Sequence, residues 1–420
     1  DRHFGFMDDE IAQTVRFPAT AVETAIAAAP RTPFAEGAAA VGAHVLVADC
    51  RYLDPATDAE VPFDETTLAR YAALARSLPR VDAIELLGVP FAPAGMPPAV
   101  APLAERLFGW KWGLTPSGSV HDAVLCEPIM EMTRVRAAAQ GLPAAEVFRA
   151  TGYLISPLRL ATPECEQLLR FERRGFRMHI GHLPLQGSTA PATFAGAAVL
   201  ALAEQIFLFL LRRLLDPGAR FGLGAAVSPV DMASGACLFG RPEQQRMNAL
   251  FADLSRFYGC AAWGHTGLTD AARPSTEAGA QKAAGVLLTA LACGHGSISA
   301  GLLKTDTLCS PVQLVLDDDL AAGLGALLEE FRADDLEGAA AEIAGAGPGG
   351  GYLDRDLTGE RARTDFFRSR TWTGAGGGSD VARARALVAA FEKTWHPEPR
   401  LAAAEEAELR RIIAAAAPRS

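Results

Sequence analysis

Residues 259–319 read GCAAWGHTGLTDAARPSTEAGAQKAAGVLLTALACGHGSISAGLLKTDTLCSPVQLVLDDD. A short apolar run, Cys260 to His265, meets a loop of Gly, Thr and Asp. Pro274 then opens a helix-length segment, and a second apolar run follows from Ser297 to Leu303. The order is strand, loop, helix, strand, with polar residues placed directly after the first strand. In a closed parallel sheet the loops that follow the strands form the face where chemistry is done. Thr269, Asp270, Glu277 and Gln281 are therefore candidate site residues, and Glu277 and Gln281 sit four apart on one helical face.

The same alternation extends in both directions. Strand-like runs lie near His44–Ala48, Ala83–Val89, Trp112–Thr115, Gly152–Ser156, Arg177–Leu183, Arg220–Val227, Cys260–His265 and Ser297–Gly301. Helix-length segments lie near Asp64–Ser77, Pro97–Phe108, His121–Ala139, Pro163–Arg174, Pro191–Leu215, Pro242–Tyr258, Ser275–Cys293 and Pro311–Phe331. Several open with Pro, which costs no intrahelical hydrogen bond in the first turn. Eight similar strand–helix units predict an α/β chain folded as a (β/α)8 TIM barrel with N-terminal and C-terminal helical extensions. A doubly wound sheet with a second domain is the alternative. The expected limits are a helical lead in 1–43 (Glu10 to Ala29), the barrel in 44–332 and a C-terminal extension in 333–420.

Composition narrows the function. Half of the 420 residues are apolar, enough for a large core, and the net charge of -10 argues against nucleic acid and anionic membrane as partners. Seven cysteines without CxxC spacing point to reduced thiols in a cytoplasmic protein. Cys293 and His295 have no second pair near them, so no metal site is predicted. The opening Asp1-Arg2-His3 has no apolar signal region, which predicts no export. Phe194 to Leu215 has the length of a membrane span, but Glu204 and Gln205 interrupt it, and a buried helix is expected. Gly345 to Gly350 fits GxGxxG without the flanking strand and helix that a dinucleotide site needs.

Further candidates follow the other strand ends. His182 to Pro191 reads HLPLQGSTAP. Gln186 is expected to point inward, and Ser188 and Thr189 either line a ligand or cap the long helix. Ser228 to Gly235 reads SPVDMASG, where Asp231 either meets the ligand or orders its own loop. His265 and Ser299 lie on the seventh and eighth strands. Trp112, Trp263 and Tyr352, with Trp110 and Phe91, offer aromatic faces or fill the core.

Pro184-Leu185-Gln186-Gly187-Ser188-Thr189-Ala190-Pro191 resembles the Pro-Leu-x-Gly-x-Thr-Ala-Pro signature of the trimethylamine methyltransferase family. So does the Ser, Asp, Met, Gly loop at 228–235 ahead of Gly240-Arg241-Pro242-Glu243, and so does Thr269-Asp270. The likeness runs from Val15-Arg16-Phe17-Pro18 to Asp365-Phe366-Phe367, with departures: Ala272 stands where the family has Lys, Ser275 for Asp, Glu277 for Gln, Gln281 for Glu, and Gly351 where His is frequent. The resemblance implies a barrel that moves an N-methyl group from a methylated amine to cobalamin carried by a separate corrinoid protein. With no pyrrolysine in the sequence, it implies the branch associated with quaternary amines such as betaines. Tetrahydrofolate is an alternative acceptor, and a homo-oligomer is expected. On that reading Asp270, His265 and Glu277 are the catalytic candidates. Gln186, Ser188, Thr189, Ser228, Asp231, Trp263, Thr269, Gln281, Ser299, Tyr352 and Trp112 bind substrate. The departures keep open a family barrel with altered chemistry: a lyase, a hydrolase or a ligand-binding protein.

Overall fold

The computed structural model describes residues 7–9, 14–31, 39–330, 336–372 and 374–418. The reading of Asp1-Arg2-His3, and the limits placed at Glu10, Phe331 and Asp334, lie outside these residues. Eight parallel strands follow one another along the chain: β1 (Ala40–Val47), β2 (Val81–Leu86), β3 (Thr115–Pro116), β4 (Thr151–Leu154), β5 (His179–His182), β6 (Leu223–Ala225), β7 (Ala262–Gly264) and β8 (His295–Ala300). At least one helix separates each strand from the next. Alternating burial in β1, with Val41, Ala43, Val45 and Val47 buried, is the signature of a strand with one face against helices.

The ladders come as separate parallel sheets. One has the order β8-β1-β2-β3, with Ser299 opposite His44; β4 pairs with β5, and β6 with β7. The first and last strands of the set are thus joined, although 250-odd residues separate them in sequence, as Ser299 and His44 do. Single backbone-to-backbone hydrogen bonds span two further junctions: Thr151 N to Gly118 O at 3.4 Å, and Ser299 N to Gly267 O at 3.2 Å. At the latter, Gly267 has φ +69° and a Cβ there would stand 2.5 Å from the Ile298 Cα, so the close approach requires glycine. Beyond the ends of β5 and β6, Leu185–Gln186 pairs with Ser228–Pro229. Along β5 and β6 themselves no ladder is formed among the described residues. Instead the Gln205 side chain accepts from Gly224 N at 2.7 Å and donates to Gly224 O at 2.6 Å, closing the open edge of β6. The architecture is α/β with parallel sheets.

Helices Pro242–Tyr258, Thr276–Cys293 and Pro311–Leu327 start where Pro242, Ser275 and Pro311 predict. Three expectations are corrected. Trp112 ends helix Ala101–Trp112 instead of beginning a strand, because Leu103, Leu107 and Trp110 continue one buried helical face to the Gly113 C-cap. Among the described residues the lead is helical only over Ala19–Ala28; Met7–Asp9 and Thr14–Arg16 form an antiparallel pair before it. The long helix begins at Phe194 and its cap is Thr193, whose hydroxyl accepts from Gly196 N; neither Ser188 nor Thr189 caps it.

Two large apolar clusters make most of the core of the described residues, beside two minor ones around Leu303 and Ala262. The larger gathers Val45, Leu68, Leu103, Ile129, Ile298 and Leu314, and takes in Val388, Leu409 and Ile412 from the two C-terminal helices. The smaller gathers Ile26, Ala201, Phe209, Phe221, Leu223 and Phe251. Among the described residues one helix, Phe194–Leu215, is long and apolar enough to cross a membrane, and 33% of its apolar window is buried. Its Glu204 lies inside the protein, accepting from Ser156 Oγ, Leu158 N and His182 Nδ1.

Candidate functional site

The polar residues beyond β7 form one connected cluster. Gln281 Oε1 accepts from Thr269 Oγ1 at 2.6 Å and from Asp270 N at 3.0 Å, so the helix beginning at Thr276 clamps the loop. Gln281 Nε2 donates to Glu277 Oε1 at 3.2 Å, and these two share the helical face anticipated for them. Asp270 Oδ1 accepts from Phe239 N at 2.5 Å and from Thr305 Oγ1 at 3.2 Å, and its Oδ2 accepts from Arg241 Nε at 2.7 Å. That carboxylate ties together the loops after β6, β7 and β8, and its charge is balanced by Arg241.

His265 stands at the end of β7 with the Phe239 ring edge-on at 4.9 Å. Burial, and then the neighbouring His44, push its pKa down to about 4, so the imidazole is neutral at pH 7. Its Nδ1 is buried without a hydrogen-bond partner. His44, on β1, meets Ser297 Oγ at 2.9 Å and Ser299 Oγ at 3.3 Å, and Ser299 Oγ also donates to Thr266 O. Beneath them Lys282 Nζ donates to Ser299 O and to Asp317 Oδ2, both at 2.7 Å.

Other candidates lie apart from this cluster. Ser228 is buried and accepts from Gln244 Nε2. Asp231 orders its own loop, accepting from Ala233 N and Ser234 Oγ. Gln186 donates to Ala192 O and Thr189 Oγ1 accepts from Leu185 N, both local bonds. Ser188 and Thr189 border a shallow apolar groove with Pro157, Leu158 and Val199. Trp263 is 42% exposed, with its ring where a Cβ on Gly224 would be, 1.8 Å from the nearest ring atom. It lines a cavity of about 380 Å³ with His179, His182, Gln205 and Arg212, in the gap between β5 and β6. Tyr352 is half-exposed under Arg355, in the region after the eight strands. Trp112 is the clear misplacement: it is buried at the opposite end of the strands, where its Nε1 donates to Glu65. Trp110 and Phe91 fill the core, Phe91 against Phe108.

Sequence reasoning missed His44, Lys282 and Asp306. Nothing local marks His44, because it is the β8–β1 register that places it beside Ser299. For Asp306 a signal existed: four polar residues, Lys304 to Thr307, between Leu303 and Leu308.

The chain spans about 40% of the length of the first curated relatives it matches. One of these, the trimethylamine methyltransferase MttB of Methanosarcina thermophila, is 28% identical over 198 residues, 47% of this chain and 41% of its own. The MttB of Desulfitobacterium hafniense is 24% identical over 413 residues, covering 92% and 81% of the two chains. A glycine betaine methyltransferase of D. hafniense is 27% identical over 218 residues, 51% and 45%. The crystal structure of the hydroxylamine MtmB complex aligns with 91% of this chain and 81% of its own at TM-score 0.47 and 9% identity. The trimethylamine methyltransferase (MTTB) family profile matches residues 114–417, well over half of the sequence, and the chain belongs to that family.

Proposed function

We propose that the protein is a methyltransferase that takes an N-methyl group from a quaternary ammonium compound and passes it to a corrinoid held by a partner protein. The family match over 114–417 carries this reading, and the glycine betaine methyltransferase among the relatives favours a quaternary substrate. We also propose that the eight strands close as a TIM barrel, which the cyclic order of their pairings supports. A cytoplasmic setting and assembly as a homo-oligomer belong to the same reading, with tetrahydrofolate as the alternative acceptor.

A quaternary nitrogen leaves as a neutral amine once its methyl is displaced, so no residue has to protonate it. The acceptor supplies the electron pair that forms the new bond to the methyl carbon, and the N–C bonding pair stays on nitrogen. The chain's own work is to desolvate the cation and hold the methyl in line. On this reading His265 stays neutral beside the cation, and Thr269, Asp270, Glu277, Gln281 and Ser299 shape the mouth.

Incubation of the protein with betaine, carnitine or choline, reduced cobalamin and a corrinoid partner should yield methylcobalamin, read by its absorbance. Absence of transfer from all three compounds with a competent partner would favour a family barrel with altered chemistry.

A further inference from the structure

The segment Lys304–Thr307 turns the chain between Leu302–Leu303 and Leu308–Cys309, an antiparallel pair immediately beyond β8. Three consecutive non-glycine residues there have left-handed backbone, with φ of +53° at Lys304, +52° at Thr305 and +63° at Asp306. Such geometry persists only where the surroundings over-determine it. Here Lys304 N donates to Ala271 O and Thr305 N to Thr269 O. Thr305 Oγ1 bonds Asp270, and Lys304 Nζ bonds Glu60. The strained turn is thereby tied to the loop after β7.

The turn puts the Asp306 carboxyl in the site cluster, with Oδ1 buried and without a hydrogen-bond partner. A buried carboxylate oxygen with no partner is costly unless something else meets it. The charged groups around it are already committed. Asp270, on the β7 loop, pairs with Arg241 from the β6 loop. Lys282, on the helix after β7, pairs with Asp317 on the helix after β8. Lys304, on its own turn, pairs with Glu60. His44 on β1 and His265 on β7 are held towards the neutral form by burial. The thiols of Cys237 and Cys309 are pushed up by burial and by Cys50 respectively, and stay protonated. Glu277, on the helix after β7, is exposed and meets only the neutral Gln281 Nε2. Among the described residues Asp306 is thus the one carboxyl of the cluster with a buried oxygen and no cation.

We propose that Asp306 is the counter-ion that receives the ammonium group of the bound ligand. This rests on the proposed function, and it fixes the substrate class as a cation instead of a neutral methyl donor. Burial, with Asp270 adding to it and Lys282 opposing it, pushes the carboxyl up to about 7. At neutral pH the free site is therefore partly protonated, and a cation that prefers the carboxylate displaces the proton. Affinity should fall by about tenfold per pH unit below that value and level off above it.

Calorimetry with choline from pH 5.5 to 8.5, in buffers of different ionisation enthalpy, tests this, with 3,3-dimethylbutan-1-ol as the uncharged isostere. Proton release near pH 7 and affinity rising with pH are expected for choline, with neither for the alcohol. Asp306→Asn should bind choline roughly tenfold or more weakly at pH 8 and without pH dependence. Asn tolerates left-handed backbone, so this variant suits the turn. In the absence of ligand the sign is also fixed. A carboxyl raised in the folded state from 3.8 to about 7 destabilises the fold increasingly as pH rises through that window. The melting temperature of Asp306→Asn should then gain on the wild type between pH 4 and 7. Choline binding that releases no proton and is unchanged in Asp306→Asn overturns the assignment and leaves the proposed function standing. No binding of choline, betaine or carnitine at any pH overturns both.

Discussion

Lys282→Met should lose about 3–5 kcal/mol of stability, the range for breaking a buried ion pair by removing one partner. Lys282 and Asp317 are both 0% exposed, and their charged atoms are 2.7 Å apart. The ammonium also donates to Ser299 O, while Asp317 accepts from Gly301 N at 2.8 Å and from Gln313 Nε2 at 2.7 Å. Burial raises the Asp317 carboxyl against the pull of Lys282 and these donors, so the pair bears a real desolvation penalty. Its worth lies in pinning three elements: helix Thr276–Cys293, β8 and helix Pro311–Leu327. Met fills the volume of the lysine stem and leaves Asp317 without its cation. Adding Asp317→Leu should recover part of the loss, because both charges are then gone. Urea denaturation at pH 7 measures each step; a loss under about 1 kcal/mol for Lys282→Met would contradict the account.

Glu204→Ala is the second large effect, expected at about 3 kcal/mol or more at pH 7. Glu204 accepts from Ser156 Oγ at 2.9 Å, Leu158 N at 2.9 Å and His182 Nδ1 at 2.8 Å, so its removal strands two buried side-chain donors and the part-buried Leu158 N. Burial alone would raise this carboxyl, but the bonds from His182, Leu158 and Ser156 together bring it below its ordinary 4.5. A carboxyl lowered in the folded state contributes stability that is complete above its unfolded value and lost as pH falls through the folded one. The gap between wild type and Glu204→Gln should therefore be widest near neutrality and shrink in acid, as denaturation midpoints at pH 7 and pH 3 would show. A gap that widens in acid would reverse the assignment.

The parallel alternation was legible because its units are punctuated by residues with one backbone meaning. Pro242 and Pro311 open helices, and Gly113, Gly259 and Gly294 close them in left-handed C-caps. The family was legible in Pro184–Pro191 and Ser228–Gly235, where turn residues keep fixed offsets. Trp112 was misread because apolar residues continue a buried helix as readily as they begin a buried strand. The roles of Asp231 and Thr189 could not be chosen from sequence, since a hydroxyl or carboxylate that orders its own loop looks the same as one that meets a ligand. The polar run at Lys304–Thr307 marked a turn but not where Asp306 points, because three left-handed residues in a row without glycine follow no turn rule and are imposed by tertiary contacts.

The side-chain seal at Gln205 divides the molecule in a way that bears on its fluctuations. Leu223 and Ala225 of β6 belong to the smaller apolar cluster, whereas Ile180 of β5 packs on the larger one, and no backbone ladder crosses between the two strands. Two cooperative units then share one chain, and the smaller can open while the larger stays folded. Amide exchange should separate into two levels: protection in β1 and β8 set by global unfolding, and a lower plateau shared by β6, β7 and helix Pro242–Tyr258.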